Sequence, residues 1–227
     1  MLEVDPQIYT RFPGVLIGTV HARELDNRCP QAEITTQLRA AEALARDQLA
    51  GVPIVEHPHI APWRDAYRAF GAKPKKYPSS IEALGRRVVK GGELPSINPL
   101  VDLYNAVSLR HLLPVGGEDL ERINGRLQLR FAGDDEPETS LLGRPVAAAP
   151  EPGEVIYADA ESAVCRRWNW REAARTCLSA ETSSALLVIE LLPPVAPEIL
   201  HTALNELAAA VTRYCGASTE VAVLRAP

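Results

Sequence analysis

Hydrophobic positions follow two regimes along this chain, with helical spacing in the first half and alternating or unbroken apolar runs in the second. Val15 to Val20 reads as a first strand. Ala32 to Ala50 reads as a helix, with Ile34, Leu38, Ala41 and Leu49 on one stripe and Gly51 as its stop. Trp63, Tyr67 and Phe70 recur at helical spacing as a packing stripe before Gly71. Ser79-Ser80-Ile81-Glu82 is a capping box, with Ser79 as N-cap and Glu82 reaching back. It opens a helix that buries Ile81, Leu84 and Val88 and ends at Gly91-Gly92. A further helix starts at Asn98-Pro99, runs to about Leu112 and is stopped by Pro114 and Gly116-Gly117.

Beyond Gly117 the pattern turns to strands. Leu127, Leu129 and Phe131 alternate with polar residues, as in a half-buried strand. Val155 to Ala158 and Ala163 to Trp168 read as two more. Ala185 to Leu192 is nearly continuous apolar sequence, which predicts a strand buried on both faces. Gly133 to Glu138 and Ala147 to Glu154 read as loops. A last helix from about Glu198 to Tyr214 carries Leu200, Leu204, Leu207, Val211 and Tyr214 on one stripe, and Val221 to Leu224 forms a closing strand. Helices early and strands late predict one compact α+β domain over residues 1–227.

With 46% hydrophobic residues the chain is globular, and no apolar run is long enough to span a bilayer. Met1 to Pro6 lacks the basic start and apolar middle of a signal peptide, so a cytoplasmic location is expected. Cys29, Cys165, Cys177 and Cys215 show no Cys-x-x-Cys spacing and read as reduced, mostly buried thiols. His57-Pro58-His59 has no acidic or cysteine partner nearby, so no metal site and no cofactor are expected. Phosphate loops, dinucleotide fingerprints and Gly-x-Ser-x-Gly are absent.

The net charge of −5 argues against general coating of nucleic acid. The distribution changes that picture. Arg64, Arg68, Lys73, Lys75, Lys76, Arg86, Arg87 and Lys90 face only Asp65 and Glu82 in their window, a local net of +6. Glu118 to Glu138 is acidic in balance. One basic surface on an acidic body suits one polyanionic partner. Lys73-Pro74-Lys75-Lys76-Tyr77-Pro78 adds an aromatic face to its cations. It is either a phosphate contact or a solvated loop.

Polar chemistry concentrates in Pro95-Ser96-Ile97-Asn98-Pro99-Leu100-Val101-Asp102-Leu103-Tyr104-Asn105. Asp102 and Asn105 lie three residues apart on one helix face, near its positive end, as the wall of a polar pocket would. Asn98 serves as a cap, and Asp102 either pairs with Arg86 or caps a neighbouring loop. A mid-helix asparagine is unfavourable unless its side chain finds a use, which singles out Asn105. Glu190 closes the apolar run Leu186-Leu187-Val188-Ile189, so it sits at an exposed strand end or has a purpose. Cys165-Arg166-Arg167-Trp168-Asn169-Trp170-Arg171 is either a binding segment or a strand with one buried and one wet face.

Ser96-Ile97-Asn98 with Val101-Asp102 and Asn105 resembles the Ser-Ile-Asn-x-x-Val-Asp-x-x-Asn helix of the tRNA-binding and editing module in the beta subunit of bacterial phenylalanyl-tRNA synthetase. The likeness continues in order. Asp119-Leu120-Glu121-Arg122-Ile123-Asn124-Gly125, then Leu141-Leu142-Gly143 and Val155-Ile156-Tyr157-Ala158-Asp159, are similar to successive motifs of that family, from about Ser80 to about Glu190. The resemblance implies a fold of mixed and antiparallel sheets flanked by helices. It also implies binding of the aminoacyl acceptor end of a tRNA and hydrolysis of a mischarged ester in trans. An aminoacyl-tRNA synthetase is a candidate partner.

In that reading Asn105 and Asp102 are the catalytic residues, placing water or substrate. Asn98, Glu190 and Trp168 bind substrate, and Lys73, Lys75, Lys76, Arg86 and Arg87 hold the tRNA. Where the family has a histidine after the helix this chain has Gly116, which implies a wider pocket or a different amino acid; His111 lies nearby. Glu190 sits two residues later than the family's glutamate that bonds a phenol hydroxyl. Two other readings stay open: a non-catalytic module that binds tRNA or an amino acid, and a hydrolase acting on another small acyl or amide substrate.

Overall fold

A computed structural model describes residues 2–144 and 146–226. The chain runs β1 (Leu2–Val4), α1 (Pro6–Arg11), β2 (Leu16–Arg23), α2 (Ala32–Gln48), α3 (Ala61–Ala69), α4 (Ser80–Val89), α5 (Pro99–His111), β3 (Val115–Asp119), β4 (Leu127–Phe131), β5 (Val155–Ala158), β6 (Ala163–Arg166), β7 (Arg171–Glu172), β8 (Ser184–Leu191), α6 (Pro197–Cys215) and β9 (Ser218–Leu224). These form two sheets, ordered β1-β4-β5-β6-β7 and β3-β8-β2-β9. The first is mixed, because β1 pairs parallel to β4 while its other pairings are antiparallel; the second is antiparallel throughout. The architecture is the expected α+β class.

β8 organises the molecule. Its run is apolar from Ala185 to Ile189 because both faces are covered. Leu186 and Val188 point into a core shared with the first sheet and with Trp63, Tyr67 and Leu109. Leu187, Ile189 and Leu191 point the other way, into a core made with α5 and α6. The stripe of Leu200, Leu204, Leu207 and Val211 fills that second core, as the helical spacing requires.

Several expectations are corrected. No element was read before Val15, yet β1 and α1 stand there, with Ile8 fully buried. Pro114-Val115-Gly116-Gly117 does more than stop α5: Val115 to Asp119 is an edge strand paired with β8. Gly117 is required by packing, since a Cβ there would meet Leu187 Cδ2 at 2.5 Å and the Leu186 carbonyl at 3.3 Å. The strand from Ala163 ends at Arg166. Arg167 (φ 48°) and Trp168 (φ 64°) turn through the left-handed region instead of alternating across a sheet. The Ser79 hydroxyl accepts from the Glu82 N–H at 3.4 Å, but the Glu82 carboxylate does not reach back; it takes Arg64 (2.6 Å) and Arg86 (2.5 Å). Asp102 therefore does not pair with Arg86. It caps the preceding loop through Ser96 and the Ile97 N–H.

Candidate functional site

The two sheets do not close on each other completely. Between them lies a cavity of about 290 Å³, also walled by the start of α4, by α5 and by residues 168–172. Register explains its lining. Glu190, Val188 and Leu186 alternate on one face of β8, and Gly116 and Glu118, paired with Val188 and Leu186, share that face. Opposite them, Leu129, Tyr157, Cys165 and Glu172 form one cross-strand row on the first sheet. Tyr104, Trp168 and Trp170 add aromatic surface.

Glu190 is 3% exposed and spans the gap: its Oε1 accepts from the Tyr157 hydroxyl and its Oε2 from the Asn169 amide, both at 2.6 Å. Burial raises its pKa to about 7, against the lowering effect of those bonds. Glu172 is likewise raised to about 7 by burial, with the Gly117 N–H (3.4 Å from its Oε1) acting the other way. Glu118 is pushed well above the carboxylate range by burial and by Glu172 beside it. Its Oε2 is buried without a hydrogen-bond partner. Cys165 also faces the cavity, but burial, Glu172 and Glu118 hold its thiol well above the usual value, so it is no ready thiolate.

Of the residues singled out in the sequence, Asn105, Trp168 and Glu190 are brought together here. Asn105 is half-buried, and its side chain makes no hydrogen bond to any described residue. Trp168 is fully buried against Phe12 and Trp63, at ring centroid distances of 4.8 and 5.2 Å. Asn98 and Asp102 do not line the cavity. Asn98 Oδ1 accepts from the Val101 N–H (3.0 Å) while its amide donates to the Leu178 carbonyl (3.3 Å), so both ends serve the helix start. Asp102, fully buried, holds the 96–97 loop.

The basic residues expected to hold tRNA do not line this cavity; Lys73 and Lys76 line a neighbouring surface pocket with Tyr77, Glu151 and Arg167. Lys73, Lys75 and Lys76 are exposed on the loop ending in Tyr77, whose ring stands 4.8 Å from Trp170 of the cavity wall. Arg167 covers the same Tyr77 ring at 3.8 Å. Arg87 follows Ala83 by one helical turn on the side of α4 that lines the cavity, and bonds the Glu93 carbonyl (2.6 Å). Arg86 is engaged by Glu82. His111 does not line the cavity: its Nε2 meets Glu206 at 2.6 Å, and burial lowers its pKa. Gly116 does line it, and a Cβ there would stand 3.2 Å from Glu172 Oε1.

Glu118 and Glu172 were not picked out from the sequence. The available signal was alternation on β3, where Glu118 falls two residues after Gly116, but the glycines hid the strand. Among the described residues no group of three or more His, Cys, Asp or Glu side chains is arranged to hold a metal ion, and no helix is long and apolar enough to cross a membrane.

No curated protein sequence matches the chain. Among solved structures, the chain is similar to an N-terminal fragment of the phenylalanyl-tRNA synthetase beta-subunit from Pyrococcus horikoshii, with a TM-score of 0.46 and 11% identity. The match covers 96% of this chain and 50% of that one, so this chain spans half of the fragment's length. The family model of the B3/4 domain matches residues 62–216, well over half of the sequence, and the chain belongs to that family.

Proposed function

We propose that this chain binds the aminoacyl end of a tRNA in the inter-sheet cavity and hydrolyses the ester of a mischarged amino acid. The observation that carries this reading is a half-open cavity lined by one unpaired amide at Asn105, joined through the Tyr77–Trp170 contact to the exposed cations of the 73–77 loop. An aminoacyl ester is already activated, so positioning a water is sufficient and no nucleophilic side chain is needed. Water adds to the ester carbonyl, the bond from that carbon to the ribose oxygen breaks, and the water's proton ends on the ribose oxygen. The products are the free amino acid and a tRNA with its hydroxyl restored.

Asn105 orients the water or the carbonyl. Asp102 and Asn98 act one step back, by fixing the loop and first turn that carry α5. Glu190 and Trp168 form the wall against the amino-acid side chain. Lys73, Lys75, Lys76 and Arg87 take the phosphates of the acceptor end, with Arg86 contributing through Glu82. A synthetase that charges the same tRNA is the natural partner in this scheme.

The test is release of amino acid from a panel of correctly and incorrectly charged tRNAs. Asn105→Ala is expected to lower release by about 100-fold, as loss of one positioned hydrogen bond to a developing oxyanion does. It should leave the unfolding midpoint nearly unchanged, because Asn105 bonds no described residue. Full activity in this variant would remove Asn105 from the site. Replacing Lys75 and Lys76 together by alanine should weaken tRNA binding and reduce the slope of log affinity against log salt by about 2. An unchanged slope would place the tRNA elsewhere.

A further inference from the structure

We infer that the cavity selects an amino acid with a cationic side chain, an ammonium or a guanidinium, held by Glu118 and Glu172. This rests on the editing function proposed above for the same cavity.

The contrast with the other buried acids carries the argument. Glu42 has Arg39, Glu82 has Arg64 and Arg86, Glu154 has Arg166, Asp119 has Arg122, and Asp159 has Arg175. Asp102, without an arginine, is bonded by Ser96, the Ile97 N–H and Gln31. Glu118, Glu172 and Glu190 all line one cavity, and none forms an ion pair with any described residue. Carboxyl groups taken out of water without a counter-charge are unfavourable; Glu190 is satisfied by Tyr157 and Asn169, whereas Glu172 has only the Gly117 N–H and Glu118 leaves Oε2 without a partner.

Glu118 gives the independent second observation. It is 5% exposed, lines the cavity and leaves Oε2 without a hydrogen-bond partner; the Thr176 hydroxyl is its polar neighbour and is likewise unpaired. Glu172 lies close enough to raise its pKa, and two facing carboxylates offer the several acceptor oxygens that an ammonium or a planar guanidinium satisfies. The rings of Tyr104 and Trp168 line the same space; Trp170 is already matched with the guanidinium groups of Arg144, Arg167 and Arg171, the last of which also lines the cavity. A metal ion fits less well, since these carboxylates do not converge on one point. The neutral side chain of a similar length would leave the carboxylates unpaired, and sites of this kind discriminate strongly against the analogue that lacks the bonding group.

The experiment compares release from tRNAs charged with arginine, lysine or ornithine and from tRNAs charged with methionine or glutamine, whose side chains are similar in reach. Faster release of a cationic ester, by about 100-fold, is expected, with that preference falling at least about tenfold in Glu118→Gln and in Glu172→Gln. Both variants are isosteric, and their unfolding midpoints are measured alongside. If neutral esters are released and cationic ones are not, the inference fails while the editing function stands. If no ester is released, thermal unfolding with argininamide or lysinamide decides. A rise in Tm for the wild type that Glu118→Gln abolishes upholds a cation site without editing, and no rise overturns the inference as well.

Discussion

Glu154→Ala is expected to cost about 3–5 kcal/mol of folding free energy, seen as a lower urea midpoint at unchanged slope. Glu154 and Arg166 are each about 4% exposed at the side chain and meet in a bidentate pair, Nε to Oε1 at 2.9 Å and Nη2 to Oε2 at 2.7 Å. The same carboxylate accepts from the Arg167 N–H at 3.0 Å. Truncation strands a buried guanidinium and a buried N–H together. Breaking such a pair is far costlier than removing both partners, so Glu154→Leu with Arg166→Met should recover most of the loss. The effect reaches the cavity, because the Arg167 N–H belongs to the left-handed turn that swings Trp168 inward. A single-variant loss below about 1 kcal/mol would mean that the pair contributes no more than a surface bridge.

The second large effect is on the pH dependence of stability. Glu190 has a folded pKa of about 7, against an unfolded value near 4.3. Between those values the folded state binds more protons than the unfolded state, so stability falls as pH rises and levels off above about pH 7. For Glu190 alone the fall is about 4 kcal/mol, and Glu172 and Glu118, displaced in the same direction, steepen it. Carboxylates held low act at the acid end. Glu136 is bonded by Arg130, and at Asp159 burial is outweighed by Arg175 and backbone N–H groups. Urea unfolding from about pH 4.5 to about pH 8 should show the decline, and Glu190→Gln should flatten it. A profile that rises over that range would contradict the burial of these acids.

What could be read in the sequence follows from how local each cause is. Helix starts at Ser79 and Asn98 were legible because a cap is a short-range bond, to Glu82 and Val101 respectively. β8 was legible because burial on both faces leaves an apolar run. β3 was not: two glycines signal a break locally, and only tertiary neighbours call for small residues there, Leu187 and Leu178 at Gly117 and the Glu172 carboxyl at Gly116. The turn at Arg167–Trp168 was hidden for the same reason, since its support comes from Glu154 and the Val155 carbonyl. In the cavity, Asn105, Trp168 and Glu190 stood out as residues poorly matched to their own elements. Glu118 and Glu172 looked like ordinary surface acids until strand pairing turned them to the cavity, Glu118 buried and Glu172 half-buried.

The pairing of β2 with strands near the far end of the chain has a consequence for how the protein is made. Leu16 pairs with Leu191 and Ile17 with Leu224, and β3, too, has only β8 as its sheet partner. During synthesis β2 therefore leaves the ribosome with both edges open, and the second sheet cannot assemble until the chain through Leu224 has emerged. Such long-range closure makes folding slow and late. A nascent chain paused before Ser184 would present an unprotected β2 edge, the kind of surface that chaperones shield from aggregation.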